Sequence, residues 1–289
     1  MKKIVLGTLI ALSFGLSSTY AQQKSGKINQ SKKVKKMDNK TLVQTAMNEL
    51  FVKRDVTALD RYWADGYIQH NPTIADGKED LIPMIKGLPA NFKYESGLVI
   101  ANDNYVMIHG RYTGLAPEPL IIVDIFRVEN GKLKEHWDVM QTEVKAEKAV
   151  NGNTMFPISQ PKADKNDNRK LVQDYLNDLF IKKDAKLTEK YWGTDMIQHN
   201  PTMPNGLDVL RGFASNIPQG FKYVPGIAVA DGDKVMIHGY YEGWGPKPLV
   251  AVDIFRIENG KVVEHWDVMQ EFVPDNQTKS GHSMQTIKK

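Results

Sequence analysis

The sequence predicts an α+β protein built from two tandem copies of one domain, in which helices come first and an antiparallel sheet follows. Three observations lead there. Residues 42–143 align with residues 171–272 at a constant offset of 129 without a gap, and about half the positions are identical. Self-similarity of that length means duplicated whole domains, since solenoid units recur roughly every 20–50 residues. Within each copy the apolar spacing begins at three- and four-residue steps and then changes to alternation. Helices followed by sequential strands place the helices on one face of a sheet, with a conical pocket left between them.

Each copy opens with Leu42, Val43, Ala46, Met47, Leu50 and Phe51, or Leu171, Val172, Tyr175, Leu176, Leu179 and Phe180, an apolar stripe at helical period. A second short helix carries Leu59, Tyr62 and Trp63, matched by Leu187, Tyr191 and Trp192. A third is expected after Gly77 and Gly206, around Leu81 to Lys86 and Leu207 to Ser215. Alternation then predicts four strands in the first copy: Tyr94 to Ala101, Tyr105 to Tyr112, Leu120 to Glu129 and Lys132 to Gln141. Glu129-Asn130-Gly131-Lys132 and Glu258-Asn259-Gly260-Lys261 read as tight hairpin turns, because Asn-Gly tolerates the positive φ that such turns require.

The ends of the chain carry a different signal. Lys2 and Lys3, an apolar run from Ile4 to Leu16, and Ala21 form the pattern of a secretory signal peptide over residues 1–21. A Lys-rich leader over 22–37 is read as solvated and disordered, and it accounts for much of the net charge of +4. The domains are expected at 38–143 and 169–274, with a linker over 144–168 and a polar tail over 275–289. No segment is long enough for a membrane span, and no aromatics interleave the leader's lysines as a nucleic-acid site would need. The absence of cysteine excludes disulfides, thiolate metal sites and a Cys nucleophile. A periplasmic or secreted protein is the expectation.

Six of the seven histidines fall in motifs present in both copies: His70 and His199 in Ile-Gln-His-Asn-Pro, His109 and His238 in Val-Met-Ile-His-Gly, His136 and His265 in Glu-His-Trp-Asp-Val-Met-Gln. Strand alternation sends His136, Asp138 and Met140 to one face and Trp137 and Val139 to the other, with His265, Asp267 and Met269 repeating the arrangement. A histidine and a carboxylate on one face can act as an acid–base pair, and burial raises a carboxyl pKa toward a useful range. Asp124 and Asp253 sit in apolar runs and need partners there. Three histidines and an aspartate per domain also leave a zinc or iron site open as a reading, but no motif has a familiar metalloenzyme spacing.

These motifs, in the order Tyr-Trp, Ile-Gln-His-Asn-Pro, His-Gly, Val-Asp-Ile-Phe-Arg, Glu-Asn-Gly-Lys and Glu-His-Trp-Asp-Val-Met-Gln, resemble the SnoaL-like branch of the NTF2-like superfamily across nearly all of both repeats. The resemblance is to the type predicted to catalyse aldol condensation. It implies two cone-shaped α+β barrels, each with one pocket, and domains that dimerise through their sheets, here as an intramolecular pseudo-dimer in a monomeric chain. It also implies acid–base work by an aspartate without metal or cofactor on an enolisable substrate, with Asp138 and Asp267 as the matching bases. His136, His70, His109 and their partners His265, His199, His238 are then expected to donate hydrogen bonds to the developing enolate oxygen. Tyr62, Tyr191, Trp63, Trp192, Met140 and Met269 are further pocket candidates, beside Asp124 and Asp253. The superfamily's epoxide hydrolases carry a Tyr-Gln-Asn segment where this chain has Ile68-Gln69-His70, so that activity is not implied. The ligand expected is a small apolar or carbonyl-containing molecule, turned over by condensation, cyclisation or isomerisation, or simply captured by a non-catalytic binding protein.

Overall fold

The computed structural model describes residues 37–183 and 188–287. The segment expected to be a signal peptide, the expected leader through residue 36, Leu187 and the last two residues of the tail lie outside the described residues. The first repeat comprises α1 (Asn39–Met47), continued by a π-helical turn over Asn48–Val52, then α2 (Ala58–Tyr62), β1 (Trp63–Gln69), α3 (Leu81–Lys86), β2 (Lys93–Asn102), β3 (Tyr105–Thr113), β4 (Leu120–Glu129) and β5 (Lys132–Thr142). The second comprises α4 (Arg169–Leu176) with a π-helical turn over Asn177–Ile181, α5 (Thr188–Tyr191), β6 (Trp192–Gln198), α6 (Leu207–Ser215), β7 (Lys222–Asp231), β8 (Lys234–Glu242), β9 (Leu249–Glu258) and β10 (Lys261–Glu271).

Local chemistry sets the boundaries. Asp38 caps α1 by accepting the Thr41 N–H at 2.9 Å, one of the donors that a helix start leaves unpaired. Asn130 and Gly131 hold φ of 51° and 73°, and Asn259 and Gly260 hold 51° and 72°, the positive values expected of the two hairpin turns.

The sheets run β1-β5-β4-β3-β2 and β6-β10-β9-β8-β7. Four strands of each form the expected antiparallel meander. The fifth, β1 or β6, was not expected, and it pairs in parallel with β5 or β10. Trp63 and Trp192 therefore begin strands and do not end helices. This pairing sets Gln69 beside His136 and Gln198 beside His265.

Each sheet buries both faces. On one, helix residues such as Val43, Ala46, Met47, Leu59 and Ile85 pack on Val106, Ile108, Tyr112, Ile122 and Phe126. The other face joins a core shared by both repeats: Met107, Val123, Ile125, Trp137 and Val139 from one, Met236, Val252, Ile254, Trp266 and Val268 from the other. Met140 N–H donates to Gln270 Oε1 and Met269 N–H to Gln141 Oε1, both at 3.0 Å.

The segments following β5 and β10 are not mere spacers. Met155, Phe156, Ile158 and Met284 are buried in the shared core. Each segment then meets the opposite repeat: Val150 N–H donates to Pro201 O at 2.9 Å, and Lys279 N–H donates to Pro72 O at 2.8 Å.

Candidate active site

In each repeat the sheet's helix-facing side and the helices enclose a cavity, about 270 Å³ in the first and 490 Å³ in the second. Alternation decides which side chains reach it. On β5, His136, Asp138 and Met140 line the first cavity, while Trp137 and Val139 face the shared core. Asp124 on β4 pairs in register with Asp138 and lines the same cavity. Asp253, His265, Asp267 and Met269 line the second.

The polar groups form one chain of hydrogen bonds. Asp138 Oδ2 accepts from Asn71 Nδ2 at 2.7 Å, while its buried Oδ1 has no partner among the described residues. Gln69 Oε1 accepts from both the Asn71 N–H and His136 Nδ1, each at 2.9 Å. His136 Nε2 lies 3.1 Å from Asp124 Oδ1, and Tyr112 donates to Asp124 Oδ2 at 2.6 Å. The second repeat reproduces this. Asn200 donates to Asp267 Oδ2 at 2.7 Å, Gln198 Oε1 accepts from His265 Nδ1 at 2.9 Å, His265 Nε2 faces Asp253 Oδ1 at 3.2 Å, and Tyr241 donates to Asp253. Asp267 Oδ1 is again buried without a partner among the described residues.

Burial pushes the Asp138 carboxyl above its ordinary range, with the His136 charge and the Asn71 donor opposing and the Asp124 charge adding to the rise. Asp267 is raised in the same way, chiefly by burial. For His136 burial acts downward, but the Asp124 hydrogen bond and the charges of Asp138 and Asp124 together raise it. An imidazolium suits this place, because both ring nitrogens face acceptors.

The arrangement departs from expectation in several ways. His136 and His265 have both ring nitrogens engaged by Gln69 and Asp124 or by Gln198 and Asp253, so neither has a nitrogen left to donate to a ligand. His70 and His199 do not line the cavities. They lie on the opposite side of the strand, stacked on Trp137 and Trp266 at 4.3 Å, with Nδ1 donating to Ser283 O and Thr154 O and Nε2 3.0 Å from Glu135 and Glu264. His109 and His238 also face the shared core. His109 stacks on Phe156 and His238 Nδ1 meets Thr286 Oγ1, and burial drives each imidazole down to about 3. Placing these four in the pocket is therefore corrected: each stands an odd number of positions from a pocket-facing residue of its own strand or strand end. Tyr62 and Tyr191 are likewise outside the lining, Tyr191 donating to Asp178, whereas Trp63 and Trp192 line the cavities.

Gln69, Asn71 and Tyr112, with Gln198, Asn200 and Tyr241, were not singled out from sequence. The signal was present, since Gln69 and Asn71 flank His70 and must project opposite to it.

Donor atoms of Asp124, His136 and Asp138 lie within 4.8 Å of one another, as do those of Asp253, His265 and Asp267. A divalent cation could be bridged at that spacing, although it would have to separate His136 Nε2 from Asp124 Oδ1.

The two cavities differ through substitutions. Ile122 becomes Ala251, which widens the second, and Leu115 becomes Trp244. Trp244 is 41% exposed and stacks on Phe213 at 4.2 Å, giving the second cavity an aromatic wall. Trp244→Leu is expected to weaken binding of 2-naphthol there about fivefold, the loss of one aromatic contact. The Met269 methyl NMR signal would report it and the Met140 methyl would serve as internal control; equal changes at both would refute a local role.

A family model for the SnoaL-like domain matches residues 44–136 and again residues 172–265. The chain belongs to the SnoaL-like domain family. No curated protein sequence matches it. Among solved structures it is similar to a candidate ketosteroid isomerase from Kribbella flavida, at 17% identity over 37% of this chain and 80% of that one, TM-score 0.33. It is similar also to a candidate polyketide cyclase from Bacillus cereus, at 20% identity over 38% and 75%, TM-score 0.31. An NTF2-like protein of unknown function from Mesorhizobium loti matches at 19% over 38% and 98%, TM-score 0.32. The SnoaL-like architecture occurs here as two tandem NTF2-like α+β domains.

Proposed function

We propose that this SnoaL-like protein is an exported, cofactor-independent acid–base enzyme acting on a small enolisable carbonyl compound. The observation that carries the reading is the orphaned Oδ1 of Asp138 and of Asp267, buried at the wall of an otherwise largely apolar cavity. That oxygen accepts a proton from the carbon next to a carbonyl, and the electron pair moves to the carbonyl oxygen as an enolate. In the first repeat Gln69 Nε2, buried and also unpartnered, is the donor available to that oxygen, and the His136 imidazolium stabilises its charge. Returning the proton to another carbon gives isomerisation, and attack of the enolate carbon on a second carbonyl gives aldol condensation or cyclisation. Export rests on the N-terminal charged and apolar pattern.

The test follows α-proton exchange of 2-tetralone in D2O by NMR, with metal analysis of the same sample. Accelerated exchange without stoichiometric metal is expected. Binding without exchange would favour the non-catalytic carrier, and bound metal would turn the Asp-His-Asp cluster into a ligand set. We also infer that the repeats form an intramolecular pseudo-dimer in a monomeric chain, a reading supported by the shared core and the reciprocal glutamine bonds. Light scattering is expected to give the mass of one chain, and an obligate larger oligomer would refute it.

A further inference from the structure

The 129-residue offset that relates the domains continues beyond them. Short 3-10 turns occupy Ala146–Lys148 and Asp275–Gln277. Gly152 and Gly281 share φ near 70°, at 71° and 74°. Val144 N–H points to Met155 Sδ and Val273 N–H to Met284 Sδ, at 3.3 and 3.2 Å. Residues 144–158 and 273–287 are thus equivalent arms, and each reaches the other repeat.

What each arm grips is the loop carrying two site residues. The first arm holds the second repeat's loop through its backbone. Asn151 Nδ2 donates to Asn200 O and Met203 O at 2.6 and 2.9 Å, Asn153 Nδ2 donates to Gln198 O at 2.9 Å, and Val150 N–H donates to Pro201 O. Asn153 Nδ2 also donates to Asn205 Oδ1 at 3.0 Å, and that oxygen accepts the Gln198 N–H at 2.8 Å. The second arm uses a different pair at the equivalent place. His282 Nε2 lies 3.2 Å from Asp76 Oδ2, and Asp76 Oδ1 accepts the Gln69 N–H at 2.9 Å. Lys279, from the same arm, pairs with Asp80 and donates its N–H to Pro72 O.

We propose that each site is completed by the opposite repeat, with Asn153 and His282 as positioning residues. Each fixes residue 205 or 76, and through it the Gln-x-Asn segment that holds the site's histidine and aspartate. Gln69 orients His136 and Asn71 orients Asp138, so a loop that shifts by a fraction of an ångström misplaces both. The inference goes beyond the proposed chemistry and does not depend on it. The first site is held by an ionisable pair where the second is held by two amides, so one molecule contains its own control.

Hydrogen exchange of the backbone amides of Gln69 and Asn71, measured by NMR on the full mature chain without ligand, is the test. His282→Ala is expected to speed their exchange about tenfold while Gln198 and Asn200 stay unchanged, because the lost contact frees one loop only. The double variant Asp76→Asn with His282→Asn installs the amide pair of the other repeat and is expected to return exchange to within about twofold of the parent. Unchanged exchange in His282→Ala, equal acceleration in both repeats, or failure of the double variant to restore protection would each overturn the proposal. Since no ligand or turnover enters the measurement, its failure is separable from that of the proton-transfer reading.

Discussion

Replacing His109 and His238 by Gln is expected to spare the protein roughly 6 kcal/mol of the stability that it otherwise loses between pH 7 and pH 4. Both histidines are 1% exposed on the face where the sheets meet, and burial holds each down from 6.5 to about 3, with a lesser push from His199 or His70. The folded protein therefore keeps them neutral, while the unfolded chain binds protons at both below pH 6.5. Their stabilising contribution is complete above pH 6.5 and is lost as the pH falls toward 3. At pH 4 that is roughly 3 kcal/mol for each, since one pH unit is worth about 1.4 kcal/mol. Asp138, Asp267 and His136 run the other way. Their raised values mean that the folded state holds protons more tightly, so their contribution is present at low pH and fades as the pH rises through those values. They trim the net loss in both proteins alike, which is why the comparison with the double variant isolates the two buried imidazoles. Urea unfolding at several pH values gives the result, and parallel stability profiles would show that the buried imidazoles do not govern acid unfolding.

Asp138→Asn combined with Asp267→Asn is expected to lower α-proton exchange of 2-tetralone by about a thousandfold, the scale typical of losing a general base. Asparagine keeps the shape and can still pair with Asn71 or Asn200 through its oxygen, so the cavity should persist. Binding of 2-naphthol is accordingly expected to change only a few fold, which separates loss of chemistry from loss of the site. The single variants apportion the activity between the repeats. Exchange that survives the double substitution would exclude these carboxylates as bases.

The sequence made the architecture readable because strong local signals agreed: helical stripes, alternating strands, Asn-Gly turns and a gapless duplication. The strand Trp63–Gln69 escaped because it contains Asp65 and Gly66 and owes its existence to parallel pairing with a distant strand. At the site, alternation within Glu-His-Trp-Asp-Val-Met-Gln puts His136, Asp138 and Met140 on one face, and that face lines the first cavity. The same parity, carried from Asp124 and Tyr112 across the sheet, would have sent His109 outward. Recurrence of a residue in both copies marked importance without saying which face it served. The arms were invisible for a physical reason. Only Val144, Gly152, Met155 and Ile158 match Val273, Gly281, Met284 and Ile287, because contacts such as those of Thr154 O and Ser283 O are made by backbone that any residue supplies.

The exchanged arms have a consequence for how the molecule behaves on dilution. Two separate copies that traded such arms would part as their concentration fell, and each would leave with the other's loop unclamped. Here residues 162–167, an exposed stretch between the repeats, hold the copies together. Each arm meets its loop at an effective concentration fixed by the tether and independent of how much protein is present. Both cavities thereby stay assembled at any dilution, even when the nearest neighbouring molecule is far away.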